Sequence, residues 1–328
     1  MSSGHGLAEA AGDPEAYPTF LAPPGEVADW RMLLAFDAAC DAGVLAALPA
    51  TPADLAADLG LDAHAVGVLL EHLAVWDIVQ LSPDGGFALS TGAPPAGTEP
   101  SLRHHASAIR QWAAGLHDRL RGTTPEQRFE LALPKDVWLE ALSRRARQAA
   151  PIVVEQCLAC CPDARRVLDL GGGRGEYALE FARRGLDTTM QDLPAIIEIA
   201  ERQGRLGAAG VDLHAGDFHG MLADGPFDLV FCAGVTQMFD AAHNLDLYRR
   251  LRGVLTPSGA VAVYTFMRGQ DPLLPIFAMQ MMVVTDGGDT HSVEDYRRWF
   301  ATAGYGGLEV ADLPGGPRSV LIARTTAT

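Results

Sequence analysis

Val167-Leu168-Asp169-Leu170-Gly171-Gly172-Gly173-Arg174-Gly175 decides the reading of this chain. A short apolar run ends in a turn made almost wholly of glycine, and the helical stretch EYALEFARRG follows at once. Glycines at a strand-to-helix turn let the backbone close up on a ligand, because no Cβ stands in the way. Working outward, short apolar runs alternate with helical ones: TTMQDL, DLVFCA, AVAVYTF and, near the end, VLIAR. That alternation implies a parallel sheet covered by helices on both faces, an α/β domain.

The glycine turn alone is a weak signal. Two further positions sharpen it. Asp192 ends the second strand about twenty residues beyond the turn, where a carboxylate holds a ribose diol. Asp217 and Phe218 end the third, where an acid and an aromatic suit an adenine amine and ring. This spacing resembles class I methyltransferases more than dinucleotide dehydrogenases. The resemblance implies a Rossmann-like fold and S-adenosyl-L-methionine (SAM) as cofactor. Asp169, Gly171, Gly173 and Gly175 would line its amino-acid end, Asp192 and Leu193 its ribose, and Asp217 with Phe218 its adenine.

Upstream, residues 1–27 are rich in Gly, Pro and Ala and read as a flexible arm. Residues 28–100 read as three helices and a hairpin. Thr51-Pro52 opens the second helix, Asp62 precedes the third, and Pro-Asp-Gly-Gly turns the hairpin between Ile78–Leu81 and Phe87–Leu89. That is a winged-helix order. Its third helix, AHAVGVLLEHLAVW, has no Arg or Lys, and the chain carries a net charge of −16, so a nucleic-acid partner is not expected. Residues 101–160 read as a helical connector or lid, and 161–328 as the cofactor domain. No apolar run is long enough to span a bilayer, and the N-terminus lacks a signal-peptide pattern, so the expectation is a cytoplasmic protein. Five cysteines, with Cys157, Cys160 and Cys161 clustered in an apolar helical stretch, fit helix packing in a reducing compartment.

The winged helix, the GGGRG turn, Asp192-Leu193-Pro194 and the tail HSVEDYRRWFATAGY together resemble the small-molecule O-methyltransferase family of plants and bacteria. The resemblance implies a homodimer through the N-terminal domain and a small-molecule acceptor. It also implies a histidine after the fourth strand as general base. In this chain that position holds Gln237, which takes no proton at neutral pH. The supporting carboxylates fall on Thr265 and Thr290.

Two histidines, His243 and His291, lie on loops bordering the same edge. With the base lost, the chain resembles a bacterial subgroup, the 2-oxo acid C-methyltransferases. That implies iron or zinc held by His243 and His291, a metal-bound enolate, and a metal-bound water or Asp240 to take the C3 proton. Two other readings stay open: an O- or N-methyltransferase working by proximity, and a cofactor-binding protein of the same fold that transfers no methyl group. Trp112, Phe277, Met279 and Met282 are candidate acceptor-pocket residues, and Arg110 or Arg128 a candidate partner for an acceptor carboxylate.

Overall fold

The computed structural model describes residues 28–95, 97–123, 133–313 and 318–326. The arm at 1–27 and Arg128 lie outside them. The chain divides into one unit of Met1–Ala114 with Phe129–Ala141, and a second of Gly115–Arg128 with Leu142–Thr328. The segment read as a connector is thus shared between the two.

The first unit contains α1 (Trp30–Asp41), α2 (Pro52–Leu59), α3 (Ala63–Val75) and an antiparallel hairpin, β1 (Val79–Leu81) and β2 (Phe87–Leu89). The local chemistry is as expected. Thr51 and Asp62 accept the backbone N–H of Asp54 and Ala65, capping α2 and α3, and Pro52 sits in the first turn. Leu33, Leu70, Leu73 and Ile78 are fully buried in one cluster. Inside that cluster's edge Asp37 is buried, with Arg103 Nε 2.7 Å from one oxygen and Arg110 paired to the other. Arg110 is therefore already matched to a carboxylate of the protein, which removes the reason for reading it as a substrate partner.

Two long helices, α4 (Glu99–Leu120) and α5 (Lys135–Cys160), precede the second unit's sheet. Its strands are β3 (Arg166–Leu170), β4 (Asp187–Asp192), β5 (Asp212–Ala215), β6 (Phe227–Ala233), β7 (Leu255–Phe266), β8 (Tyr305–Asp312) and β9 (Arg318–Thr325). Their order is β5-β4-β3-β6-β7-β9-β8, parallel through β7 and antiparallel in the last two. The order reverses between β3 and β6, the place where open α/β sheets bind ligands beyond their carboxyl ends. Between the strands run α6 (Glu176–Arg183), α7 (Pro194–Glu201), the short α8 (Arg205–Ala208), α9 (Ala241–Leu251), α10 (Leu274–Val284) and α11 (Val293–Thr302).

The central strands are buried on both faces. Along β7, Val261 and Val263 join Tyr296, Trp299 and Phe300 on one side. Ala262 and Tyr264 join Tyr177, Phe181 and Val153 on the other. Cys157 is part of that second cluster, and the Cys160 thiol donates to Glu309 at 3.1 Å. Burial pushes the cluster's thiols up, which leaves them unreactive. This is the Rossmann-like methyltransferase fold with an N-terminal helical region.

Candidate functional site

The glycine turn has the geometry that the sequence called for. Gly171, Gly173 and Gly175 take φ of 72°, 60° and 78°, the left-handed region that residues with a Cβ avoid. At Gly171 a Cβ would also stand 2.5 Å from Val235 Cγ2, and at Gly172 one would stand 2.5 Å from Met190 Cγ. The turn therefore has no room for side chains, and its amides edge the β3–β6 switch point.

Asp192, at the end of β4, is bonded to this turn. One carboxylate oxygen accepts Gly173 N–H at 2.8 Å and the other Leu193 N–H at 2.7 Å. Burial raises its pKa, and these two amides act against that rise. Leu193 itself is half exposed beside it. Asp169 lies below the turn, fully buried. One oxygen accepts Ala178 N–H at 3.0 Å, and the other has no partner among the described residues. An unmatched buried acceptor under a bare glycine turn fits the ammonium end of SAM, and the Asp192 carboxylate fits its ribose diol.

Burial pushes the Asp169 carboxyl up to about 7. An acid raised in the folded state stays protonated while its unfolded counterpart ionises, so stability falls as pH rises from about 4 to about 7. Asp169→Asn keeps the acceptor for Ala178 and cannot ionise. Its melting temperature, measured without ligand, should match the parent's near pH 4 and exceed it increasingly towards pH 7. A gap independent of pH would mean that Asp169 is not the titrating group.

β5 ends at Ala215, two residues before Asp217, so Asp217 and Phe218 stand in the following loop. Asp217 is exposed and accepts His219 N–H at 2.9 Å. Phe218 meets the Phe239 ring edge-on at 5.9 Å. His219, which the sequence reading passed over, packs its ring at 4.6 Å from Phe239 and 5.9 Å from His243. Burial lowers its pKa. An ordinary loop histidine carries no pattern that would have marked it.

The two histidines expected to hold a metal have different surroundings. The His291 ring is buried between Trp299 and Tyr296, and its Nε2–H donates to the Phe239 carbonyl at 3.0 Å, so that nitrogen is protonated and used. The His243 side chain is 61% exposed, with Nδ1 held 2.8 Å from Asp240 Oδ1. That same Asp240 oxygen caps α9 by accepting His243 N–H at 2.9 Å. These bonds hold the carboxyl below the usual range and bind the group that was expected to take a C3 proton. Among the described residues no cluster of three or more His, Cys, Asp or Glu is arranged for a metal.

Gln237 sits in a 3₁₀ turn (Thr236–Met238) after β6 and is buried. Thr265 Oγ1–H donates to its Oε1 at 3.2 Å, and its Nε2 lies 3.7 Å from where a Cβ on Gly234 would stand. The amide thus shows its acceptor to the fold and its donor to the bare Gly234 turn. Next to it, Asp289 N–H bonds the Gln237 carbonyl at 3.0 Å. Gly288, Asp289 and Thr290 form one wall of a cavity of about 860 Å³, and Leu274, Met279 and Met282 form the apolar part. Met279 and Met282 were expected there. Phe277 is buried against Phe266 instead, with ring centroids 4.5 Å apart.

Comparison with known proteins agrees with this geometry. The family described as "Methyltransferase domain" matches residues 167–259, from the glycine turn through the start of β7. A 3-hydroxy-5-methyl-1-naphthoate 3-O-methyltransferase from Streptomyces sahachiroi is 28% identical over 147 residues, 43% of this chain and 43% of that one. This match therefore spans less than half of the relative. A 3-amino-4-hydroxybenzoate 4-O-methyltransferase from Streptomyces cremeus is 27% identical over 295 residues, covering 83% of this chain and 80% of that one. Among solved structures, a mitomycin 7-O-methyltransferase shares the fold with a TM-score of 0.74 at 21% identity, covering 90% of this chain and 94% of its own. Residues 167–259 thus match a methyltransferase domain, and the relatives named here are O-methyltransferases.

Proposed function

We propose that this methyltransferase transfers a methyl group to a hydroxyl oxygen of a small aromatic molecule, without a histidine base. The observation that carries this reading is the Gln237 amide, whose oxygen accepts from Thr265 and whose Nε2 lies towards the bare Gly234 turn. A carboxamide nitrogen donates hydrogen bonds and takes no proton. It holds an acceptor oxygen that has already lost its proton, and it holds the anion more strongly than the neutral hydroxyl. When bound, SAM supplies the electrophilic methyl group. The glycine turn and Asp192 fix where that group stands, and the acceptor oxygen held by Gln237 provides the electron pair. The hydroxyl's proton leaves to solvent before transfer.

The two Streptomyces relatives are named for hydroxylated aromatic acids, which agrees with this acceptor class. That the named relatives methylate oxygen favours this reading over carbon methylation.

A phenol with a pKa near 10 is scarcely ionised at neutral pH. The account therefore expects kcat/KM to rise with pH through the acceptor's own hydroxyl pKa, shifting from one acceptor to the next. Gln237→Ala should lower it by roughly 10- to 100-fold, the worth of a hydrogen bond of about 1.5–3 kcal/mol to a charged group. A profile with one fixed enzyme pKa for every acceptor would show a base that this reading lacks.

A further inference from the structure

Gln191 is the residue before the ribose carboxylate, and it is fully buried. A buried carboxamide is costly unless its donors and its acceptor find partners. Here they all find one loop. Nε2 donates to the Gly216 carbonyl at 3.3 Å and to the Met221 carbonyl at 2.7 Å, and Oε1 accepts Ala223 N–H at 2.9 Å.

The loop held in this way follows the end of β5 at Ala215 and carries Asp217 and Phe218. Phe218, Leu222 and Ala223 pack on the core cluster around β6 and β7. Apolar packing is non-directional, so it keeps the loop down without fixing where it stands along the sheet edge. Hydrogen bonds are directional and do fix it. Gly220 and Met221 N–H bond the Asp217 carbonyl, and His219 N–H bonds its carboxylate, all within the loop. Among the described residues, the loop's bonds to the rest of the chain go to the Gln191 side chain and, from Gly216 N–H, to the Asp192 carbonyl at 2.9 Å. The Asp192 carboxylate ties the glycine turn, and the Gln191 amide ties the loop after β5. Two adjacent residues at one strand end therefore set both sides of the nucleoside site.

A fixed loop matters for the base. Adenine presents an amine donor beside the N1 acceptor. Hypoxanthine presents a carbonyl acceptor beside an N1–H donor. A carboxylate can only accept. Held still, Asp217 accepts from the amine and is repelled by a carbonyl in its place. Free to slide, it reaches N1–H instead, and the distinction between the two bases is lost.

We propose that Gln191 is a positioning residue for the cofactor's purine: by tying the Asp217–Phe218 loop to the end of β4, it makes the chain select adenine over hypoxanthine. The proposal concerns cofactor binding and holds whichever atom is methylated. Its test is calorimetric titration of the full chain with S-adenosylhomocysteine and with S-inosylhomocysteine. The parent should prefer the adenosyl compound by roughly 10-fold or more, the discrimination of a site built to pair with an N–H group. Gln191→Met, of similar volume and without polar atoms, should weaken the adenosyl compound by about the same factor and leave the inosyl compound nearly unchanged. Gln191→Glu keeps an acceptor for Ala223 N–H but has at most one hydrogen for two carbonyls, so its preference should fall between those of the parent and the Met variant. If Gln191→Met does not fold, Gln191→Glu decides alone, and the parent's preference persisting in it overturns the proposal.

A parent that binds both compounds equally overturns the proposal. So does a Met variant that keeps the parent's preference. Equal weakening of both compounds also overturns it, because that would make Gln191 a support of the fold with no say over the base. Failure of S-adenosylhomocysteine to bind the parent would overturn the cofactor assignment together with the proposal.

Discussion

Gly171→Ala should cost the chain about 100-fold or more in SAM affinity while leaving a folded protein. Two effects act. The left-handed φ of 72° costs an alanine about 1–2 kcal/mol. The new Cβ would stand 2.5 Å from Val235 Cγ2, so the turn or the loop before Gln237 must move. Val235 is buried in the core cluster around β6 and β7 and has little room to yield. A displacement of the turn also breaks the Gly173–Asp192 bond that ties it to the ribose carboxylate. The strain lowers stability, while the displaced turn and the lost tie to Asp192 lower SAM affinity by about 3 kcal/mol, roughly 100-fold in Kd. Gly185→Ala is the matched control, with φ of 85° and nothing within 4 Å of the added Cβ. It should lower the melting temperature in a similar way and leave SAM affinity unchanged. Calorimetric titration of both variants makes the comparison. Equal loss in the two would mean that backbone strain alone, and not the cofactor turn, was being measured.

Asp37→Ala should destabilise the N-terminal unit by about 3 kcal/mol or more, the cost of leaving one member of a buried ion pair behind. Both oxygens of Asp37 are used, by Arg103 and Arg110, and the Arg103 and Asp37 side chains are 8% and 6% exposed. Arg103 keeps Asp41 at 3.1 Å and Glu99 at 3.5 Å, but both of those carboxylates lie in solvent. Removing Asp41, whose side chain is 71% exposed, should therefore cost less than about 1 kcal/mol. Replacing Asp37 and Arg103 together with apolar residues of similar volume should recover much of the loss. Urea unfolding of the single, double and Asp41 variants checks the order. If Asp37→Ala and Asp41→Ala cost the same, the buried pair is not holding this unit.

The parts of this protein that are legible in its sequence are those whose residues are neighbours in the chain. The glycine turn, its strand and its helix are consecutive, so spacing alone gives Gly171, Gly173 and Gly175 their conformations. Thr51 and Asp62 cap helices that begin one residue later. The hairpin follows from Pro-Asp-Gly-Gly between two apolar triplets.

What escaped the sequence depends on where side chains meet. β8 carries Gly306 and Gly307 at a sheet edge, so its alternation is diluted. His243 stands in the first turn of α9 and His291 just before α11. Their rings, however, are turned by Asp240 and by the Phe239 carbonyl, and no one-dimensional pattern reports that. The reading of Gln237 lay between: the absence of a base was visible in the sequence, but the direction of its amide came from Thr265.

The account's central claim is that this chain moves a methyl group from SAM to oxygen. Its most direct test is to incubate the chelator-treated protein with SAM carrying a ¹³C-labelled methyl group and aromatic hydroxy acids, and to identify the labelled carbon's neighbour in the product by NMR. The account predicts a methoxy carbon, formed equally well after chelation. A label on carbon, formed only when iron or zinc is restored, would contradict it.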